Sequence, residues 1–357
     1  MEYSLYGPKI LGVMDISNVS NFNTTVKTQG LFCYESLSGS CTRYARPLSI
    51  QVPMFTAMGL AILVTVMGNL LVITSIAHFK QLQTSTNQLL LSLAVCDLLL
   101  GGFVMPCSAV RSVQGCWYLG EFMCKLHTST DIMLSSSSIL HLSFISIDRY
   151  FAVCRPMRYK LIISNNTVWI MVATSWLVPA IFAFGMIFSE LNLKGREVFY
   201  ETNVKCVGGC QVFFSPMAAV ASSFCFYIPG FILICLYFKI YWVARAQAKS
   251  IKDLSRQVRE ADSGRRARRG ANILAIVVGV FFACWCPFFL CLIIDPFILY
   301  SVPPQFADTL VWLGYLNSTF NPIVYAFFYT WFRRALTIII KGKIFQRDSC
   351  RFQLYSE

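Results

Sequence analysis

The sequence predicts an all-α fold, a bundle of seven membrane-spanning helices followed by a short amphipathic eighth helix. Three observations carry that prediction. Of the 357 residues 56% are hydrophobic and only 13% charged, with a mean hydropathy of +0.59. A water-soluble fold of that composition would leave too much apolar surface uncovered. Seven segments are long and apolar enough to cross a bilayer, which takes roughly 20 residues at ~1.5 Å each. Finally, the surplus of positive charge falls on one side of those segments.

The segments run over 51–77, 87–110, 126–147, 167–189, 211–238, 271–294 and 309–332. They contain no Lys or Arg, and their only carboxylates are Asp97 and Asp131. Without water in the lipid core, backbone groups must pair within each segment, so each is a helix. The chain divides into an outer N-terminal segment (1–50), the bundle (51–332) and an interfacial helix with tail (333–357). The first 15 residues lack the apolar core of a cleavable signal, so the first span serves as an uncleaved anchor.

An odd number of spans puts the termini on opposite sides. With the N-terminus outside, the inner segments carry 21 Lys+Arg against 6 Asp+Glu and the outer ones 9 against 9. Cytoplasmic loops carry such an excess of basic residues. The net charge of +13 therefore reflects topology and an anionic lipid or protein surface inside, not nucleic-acid binding. Plasma-membrane placement with an extracellular N-terminus makes Asn18 and Asn23, each in a glycosylation sequon, acceptor sites.

Most of the 15 cysteines lie within spans, where they are small apolar residues. Six fall on the outer, oxidising side: Cys33, Cys41, Cys116, Cys124, Cys206 and Cys210. An even set there predicts three bridges whose connectivity the spacing leaves open.

A mid-membrane carboxylate costs about 2.5–3.5 kcal/mol, so each needs a reason. Asp131 lies seven residues past Cys124 at the mouth of span three, roughly 10 Å below the outer surface. At that depth it is shielded yet reachable by a small solute, and fits the counter-ion of a cationic ligand. The bland alternative is a carboxylate satisfied by neighbouring helices. Asp97 lies deeper, in span two. With Ser138, Asn317, Ser318 and Asn321 it forms one carboxylate among neutral oxygens. That chemistry suits a sodium ion and water, or else a purely structural polar network. No other cofactor is expected.

These residues sit in a larger pattern. Gly68-Asn69 lies in span one, Leu93 to Asp97 in span two, and Asp148-Arg149-Tyr150 at the end of span three. Trp176 marks span four, Pro229 and Tyr237 span five, Cys284-Trp285-Cys286-Pro287 span six, and Asn321-Pro322-Ile323-Val324-Tyr325 span seven. In that order and on those spans, the chain resembles a class A, rhodopsin-like, G-protein-coupled receptor over nearly its whole length. Asp131 occupies the amine-binding position of the aminergic receptors. The stretches Thr128–Leu134 and Asn317–Pro322 with Tyr325–Tyr329, and Cys206-Val207-Gly208-Gly209-Cys210, are similar to the trace amine-associated receptors.

The resemblance implies a receptor for small protonated aryl amines, such as phenethylamine or tyramine, acting through a heterotrimeric G protein of the stimulatory type that raises cyclic AMP. The alternative is another aminergic receptor for serotonin, histamine or catecholamines. Facing Asp131 it places Trp285, Phe288 and Phe289, with Trp312 and Tyr315 from span seven and Val212 and Phe213 as a lid. Tyr315 would donate a hydrogen bond to Asp131. Ala221, Ser222 and Cys225 stand where catecholamine receptors present hydroxyls, which favours an amine with fewer of them. Trp285 senses the ligand, Pro287 and Pro229 permit bending, and Asn321-Pro322 relays the change. Asp148, Arg149, Tyr237 and Tyr325 complete the inner face. The implied bridges are Cys124–Cys210, Cys33–Cys206 and Cys41–Cys116. One departure stands out: Ala267 replaces the acidic residue that restrains the arginine in many relatives, which predicts appreciable ligand-free activity.

Rival classes lack their marks. An opsin needs a lysine in span seven, where Tyr315 stands instead. No internal repeat of a transporter is visible. The three histidines, His78, His127 and His141, are dispersed without a metal or catalytic spacing, so the chain is not read as an enzyme. His127 and His141 are read as helix-packing residues. Phe332, Leu336, Ile339 and Ile340 share one face after span seven, opposite Arg333 and Lys341, which describes an interfacial helix.

Overall fold

The computed structural model describes residues 32–44, 46–253 and 258–354, without the side chains of 244, 247–253 and 258–275. Asn18 and Asn23 lie outside the described residues. Seven long helices form the bundle: α1 (Leu48–His78), α2 (Ser85–Gln114), α3 (Gly120–Cys154), α4 (Asn165–Phe188), α5 (Pro216–Asp253), α6 (Val258–Ile294) and α7 (Pro304–Phe328). Helix α8 (Thr330–Ile340) follows at 96° to α7. Helices α5 and α6 run on past their apolar spans, to Asp253 and from Val258.

Local chemistry sets the ends. Thr84 and Ser164 cap α2 and α4 by accepting hydrogen bonds from the backbone N–H groups of Asn87 (3.4 Å) and Thr167 (3.2 Å). The fifth span is expected from residue 211, but 211–215 are loop and the helix opens at Pro216, whose missing N–H needs no partner there. The seventh span is expected to residue 332, but it stops at Phe328. Tyr329 is extended (φ −96°, ψ 113°), so Trp331 and Phe332 belong to α8. Arg333 then donates to the α7 carbonyls of Phe327 (2.6 Å) and Ala326 (3.3 Å), satisfying a helix end that would otherwise be bare. Trp331, Phe332 and Ala335 are buried against the inner core, while Ile340 is exposed.

The second span contains a π-turn over Leu100–Val104, within Leu-Gly-Gly-Phe-Val. One extra residue per turn rotates everything beyond it about the helix axis, which brings Ser108 and Ser112 to face the bundle. Close approach binds α1 to its neighbours. A Cβ on Gly68 would lie 2.6 Å from the Pro322 ring, and one on Gly101 would lie 2.8 Å from Thr65. Glycine is required at both contacts. Thr65 and Thr319 share a hydrogen bond of 2.7 Å across the same seam. From the middle of the bundle inward, Phe226, Phe281, Trp285 and Phe289 form a continuous apolar core with Leu233 and Ile139. Phe281 is fully buried.

The outer face is stapled. Cys124–Cys210 joins α3 to the second outer loop, as expected. The N-terminal pairs differ from expectation: Cys33 bonds Cys116 and Cys41 bonds Cys206. Backbone pairing explains the exchange. The N-terminal segment folds back on itself, with Cys33 N–H donating to the Cys41 carbonyl, and its returning arm lies along the second outer loop. Cys41 N–H donates to Val207 and Val207 N–H to Gly39, both at 2.9 Å, which sets Cys41 beside Cys206. Cys33 is left facing the end of α2, where left-handed Gly115 (φ 73°) turns Cys116 towards it. Non-reducing proteolysis with mass spectrometry should recover peptides linking Cys33 to Cys116 and Cys41 to Cys206. Recovery of a Cys33–Cys206 peptide instead would refute this connectivity.

Candidate functional site

A cavity of about 1140 Å³ runs from the N-terminal segment and second outer loop down to Trp285 in the middle of the bundle. Asp131 lies on its wall, half-buried. Tyr315 donates to one carboxylate oxygen at 2.6 Å, and Ser135 to the other at 3.3 Å. No cation pairs with it among the described residues. The bonds made in the structure are thus neutral ones, and the charge itself is unbalanced. A buried carboxylate left so gains most from an approaching ammonium.

The cavity floor is aromatic. Trp285, Phe288 and Phe289 pack edge-on or tilted, with centroids 5.3–6.1 Å apart, and Phe289 stacks on Phe226 at 4.3 Å. The Trp285 indole lies hard against Gly314, where a Cβ would come within 2.7 Å of the ring. Its N–H is buried with no partner among the described residues. Above, Asn192 donates to the Phe213 carbonyl (2.9 Å) and accepts from Ser215 N–H (2.7 Å), which pins the loop across the opening. Phe213 is buried against Tyr300 at 4.5 Å, whereas Val212 is exposed at the rim.

On the α5 wall Ser222 turns to the Met186 sulfur (3.7 Å), while Ser223, outside the lining, donates to its own helix at the Ala219 carbonyl (2.7 Å). Cys225 completes that wall. Trp312 stands beside Tyr315, outside the residues that line the cavity. Its indole N–H donates to Ser112 (3.2 Å), because the π-turn brings that hydroxyl round, and its ring packs at the α2–α7 seam with Tyr315.

Below the cavity Asp97 is fully buried and accepts from Ser318 (2.7 Å), Ser138 (3.3 Å) and the Asn321 amide (2.7 Å). Asn317 is not among its partners; its amide oxygen is buried without one. One carboxylate, two hydroxyls that can rotate and an unpartnered amide oxygen are a donor set that fits a hard cation with water.

At the inner end Asp148 and Arg149 pair with each other (2.5 Å), and both bond Thr86 on α2; Tyr159 also donates to Asp148 (2.9 Å). Tyr237 and Tyr325 are not drawn into this cluster. The Tyr237 ring neighbours Phe238 and Tyr241 on its own helix, and Tyr325 packs on Tyr329 and Phe332. Ala267 lies in α6, but its side chain is outside the described residues. His141 is a packing residue, bonded to Ser92 (2.7 Å) and the Ser137 carbonyl (2.7 Å), with Trp176 donating to the same serine.

Residues 68–325 match the family of seven-transmembrane receptors of the rhodopsin type. Trace amine-associated receptor 1 of Macaca mulatta is 54% identical over 333 residues, covering 91% of this chain and 98% of its own. The protein of that name from Homo sapiens is 52% identical over the same coverage. Trace amine-associated receptor 4 of Rattus norvegicus is 46% identical over 332 residues, 91% of this chain and 95% of its own. The chain belongs to the trace amine-associated receptor family. This receptor is therefore a multi-pass plasma-membrane protein of a family of receptors, not of enzymes. A small-molecule agonist outside and a G protein inside are the partners that family membership assigns.

Replacing Trp312 with Phe should leave ligand affinity within roughly threefold, while the lost bond to Ser112 lowers stability by about 0.5–1.5 kcal/mol. Radioligand affinity and a thermal melt of the solubilised receptor check both. A tenfold affinity loss would return Trp312 to the binding site.

Proposed function

We propose that the receptor binds a small protonated aryl amine, with Asp131 as counter-ion, and signals through a stimulatory G protein to raise cyclic AMP. The observation that carries this reading is the unbalanced Asp131 carboxylate on the wall of an aromatic-floored cavity. An ammonium there gains a charge-assisted hydrogen bond in low dielectric. The rings of Trp285, Phe288 and Phe289 accept the aryl group, and aromatic faces near a cation add about 0.5–2 kcal/mol. The α5 wall supports phenethylamine or tyramine over a catecholamine, since Ser222 is its one hydroxyl in the cavity lining and turns to the Met186 sulfur. Names of the relatives, trace amine-associated receptors, agree with that ligand class.

Binding shifts a conformational equilibrium only through unequal affinity for the two states. In this reading the sensor is Trp285, wedged on Gly314, and Pro287 lets α6 bend, since proline leaves one intrahelical bond unmade. Asn321, bonded to Asp97, and Pro322 relay the movement to Tyr325. Arg149 and Tyr237 would join it at the inner face once Arg149 leaves Asp148 and Thr86. We also propose a sodium ion at Asp97, held with Ser138, Ser318 and Asn317. Unequal sodium affinity of the two states would then make agonist affinity sodium-dependent.

In transfected cells phenethylamine should raise cyclic AMP, and Asp131→Asn should reduce its potency by roughly 100-fold or more. Unchanged potency in a well-expressed mutant sinks the counter-ion role; a response through another G-protein family without cyclic AMP sinks the stimulatory assignment. Agonist affinity measured in sodium and in N-methylglucamine should differ, and the difference should vanish in Asp97→Asn. A difference that survives the substitution places sodium elsewhere.

A further inference from the structure

Behind Tyr315 lies a chain of polar groups that the proposed binding mode does not use. The Tyr315 hydroxyl is 3.2 Å from Ser108 on α2. The Ser108 hydroxyl is 3.3 Å from Nε2 of His127 on α3, and that nitrogen is 3.2 Å from the Val104 carbonyl. Ser108 and Tyr315 are fully buried and His127 nearly so. Burial leaves these groups only one another as partners, which makes the network costly to break.

The proton positions follow from which atoms cannot donate. Asp131 is an acceptor when ionised, so Tyr315 donates its only proton to it. The Tyr315 oxygen must then accept, and Ser108 donates to it. With the Ser108 proton committed, its oxygen accepts from His127. The Val104 carbonyl is an acceptor too, so Nε2 of His127 carries a hydrogen shared between them. Nδ1 has no partner among the described residues, and the ring lies 5.1 Å from that of Trp117. Every hydrogen in the series points the same way, from His127 through Ser108 and Tyr315 to the carboxylate. Such aligned bonds polarise one another.

We propose that His127 and Ser108 are positioning residues for the ligand site: through this one-way series they hold Tyr315 aimed at Asp131 and so fix the carboxylate rotamer that meets the amine. The inference rests on Asp131 being the counter-ion. The π-turn of α2 is the structural condition for it, because the turn ends at Val104 and rotates Ser108 inward. Neither residue needs to touch the ligand, and neither is in the cavity lining.

Phenethylamine affinity in receptor-bearing membranes tests the series as a mutant cycle, since affinity does not depend on expression level. Ser108→Ala and His127→Phe, which keeps a ring beside Trp117, should each weaken binding roughly three- to tenfold. His127→Gln, which restores an N–H near Nε2, should recover most of the loss. In a Tyr315→Phe background Ser108→Ala should have no further effect, because the bond through which it acts is gone. A merely structural role would instead give the same loss in both backgrounds. Such additivity, unchanged affinity in Ser108→Ala, or no recovery in His127→Gln overturns the proposal. Asp131→Asn separates the two readings. If it binds phenethylamine normally the counter-ion reading fails; if it loses binding while Ser108→Ala is silent, only the relay fails.

Discussion

One unpaired negative charge in a low-dielectric interior constrains the outer half of this molecule. Asp131 is stabilised by hydrogen bonds from Tyr315 and Ser135, neither of which carries charge. A lysine or arginine within reach would have made the site a closed ion pair with nothing to offer a ligand. The bundle instead surrounds the acid with rings and directs basic side chains elsewhere. Arg111 goes to Asp308 (3.6 Å), and Lys125 to Glu190 (2.7 Å) near the surface. Glu190 is held below its usual pKa by that lysine, so it remains a carboxylate committed to Lys125. The charge balance around Asp131 thus depends as much on where positive charge is engaged as on where negative charge sits.

The second buried carboxylate is treated in the opposite manner. Asp97 takes three hydrogen bonds from three residues on two helices, and α1 is drawn to the same seam by Asn69, whose amide donates to the Ser318 carbonyl (3.2 Å). Close glycine contacts at Gly68 and Gly101 leave that seam little room. A region so tightly joined moves as a unit if it moves at all, because packed interfaces have discrete arrangements rather than a continuum. Between it and the cavity stands Trp285, whose indole N–H is unsatisfied and whose ring rests on a glycine. That residue is held by ring packing alone, without a hydrogen bond among the described residues.

Much of this was legible in the residues because lipid allows few solutions. Apolar length located the spans, the two lone carboxylates marked the polar centres, and the basic excess oriented the chain. The tripeptide motifs named the family. What was not legible depended on local departures from the regular helix. The π-turn at Leu100–Val104 breaks the helical period that assigns faces, so neither Ser108 nor the bond between Trp312 and Ser112 is visible in the residues. The end of span seven was misread because Trp331 and Phe332 are as apolar as a span, and only the extended backbone at Tyr329 separates them from it. The disulfide exchange depended on a backbone pairing between segments 165 residues apart, which spacing does not encode. His127 read as packing because nothing in its neighbours along the chain reveals Ser108 beside it.

The paired N-terminal staples give the entrance a fixed rim. Tyr34, Thr42 and Tyr44 edge the cavity on a strap bonded at Cys33 to the end of α2 and at Cys41 to the second outer loop. A guest cannot push such a strap aside, as it could a free tail. This side of the entrance is therefore held by covalent geometry. Reducing conditions outside the cell would release that strap at both ends without altering a single group in the depths below.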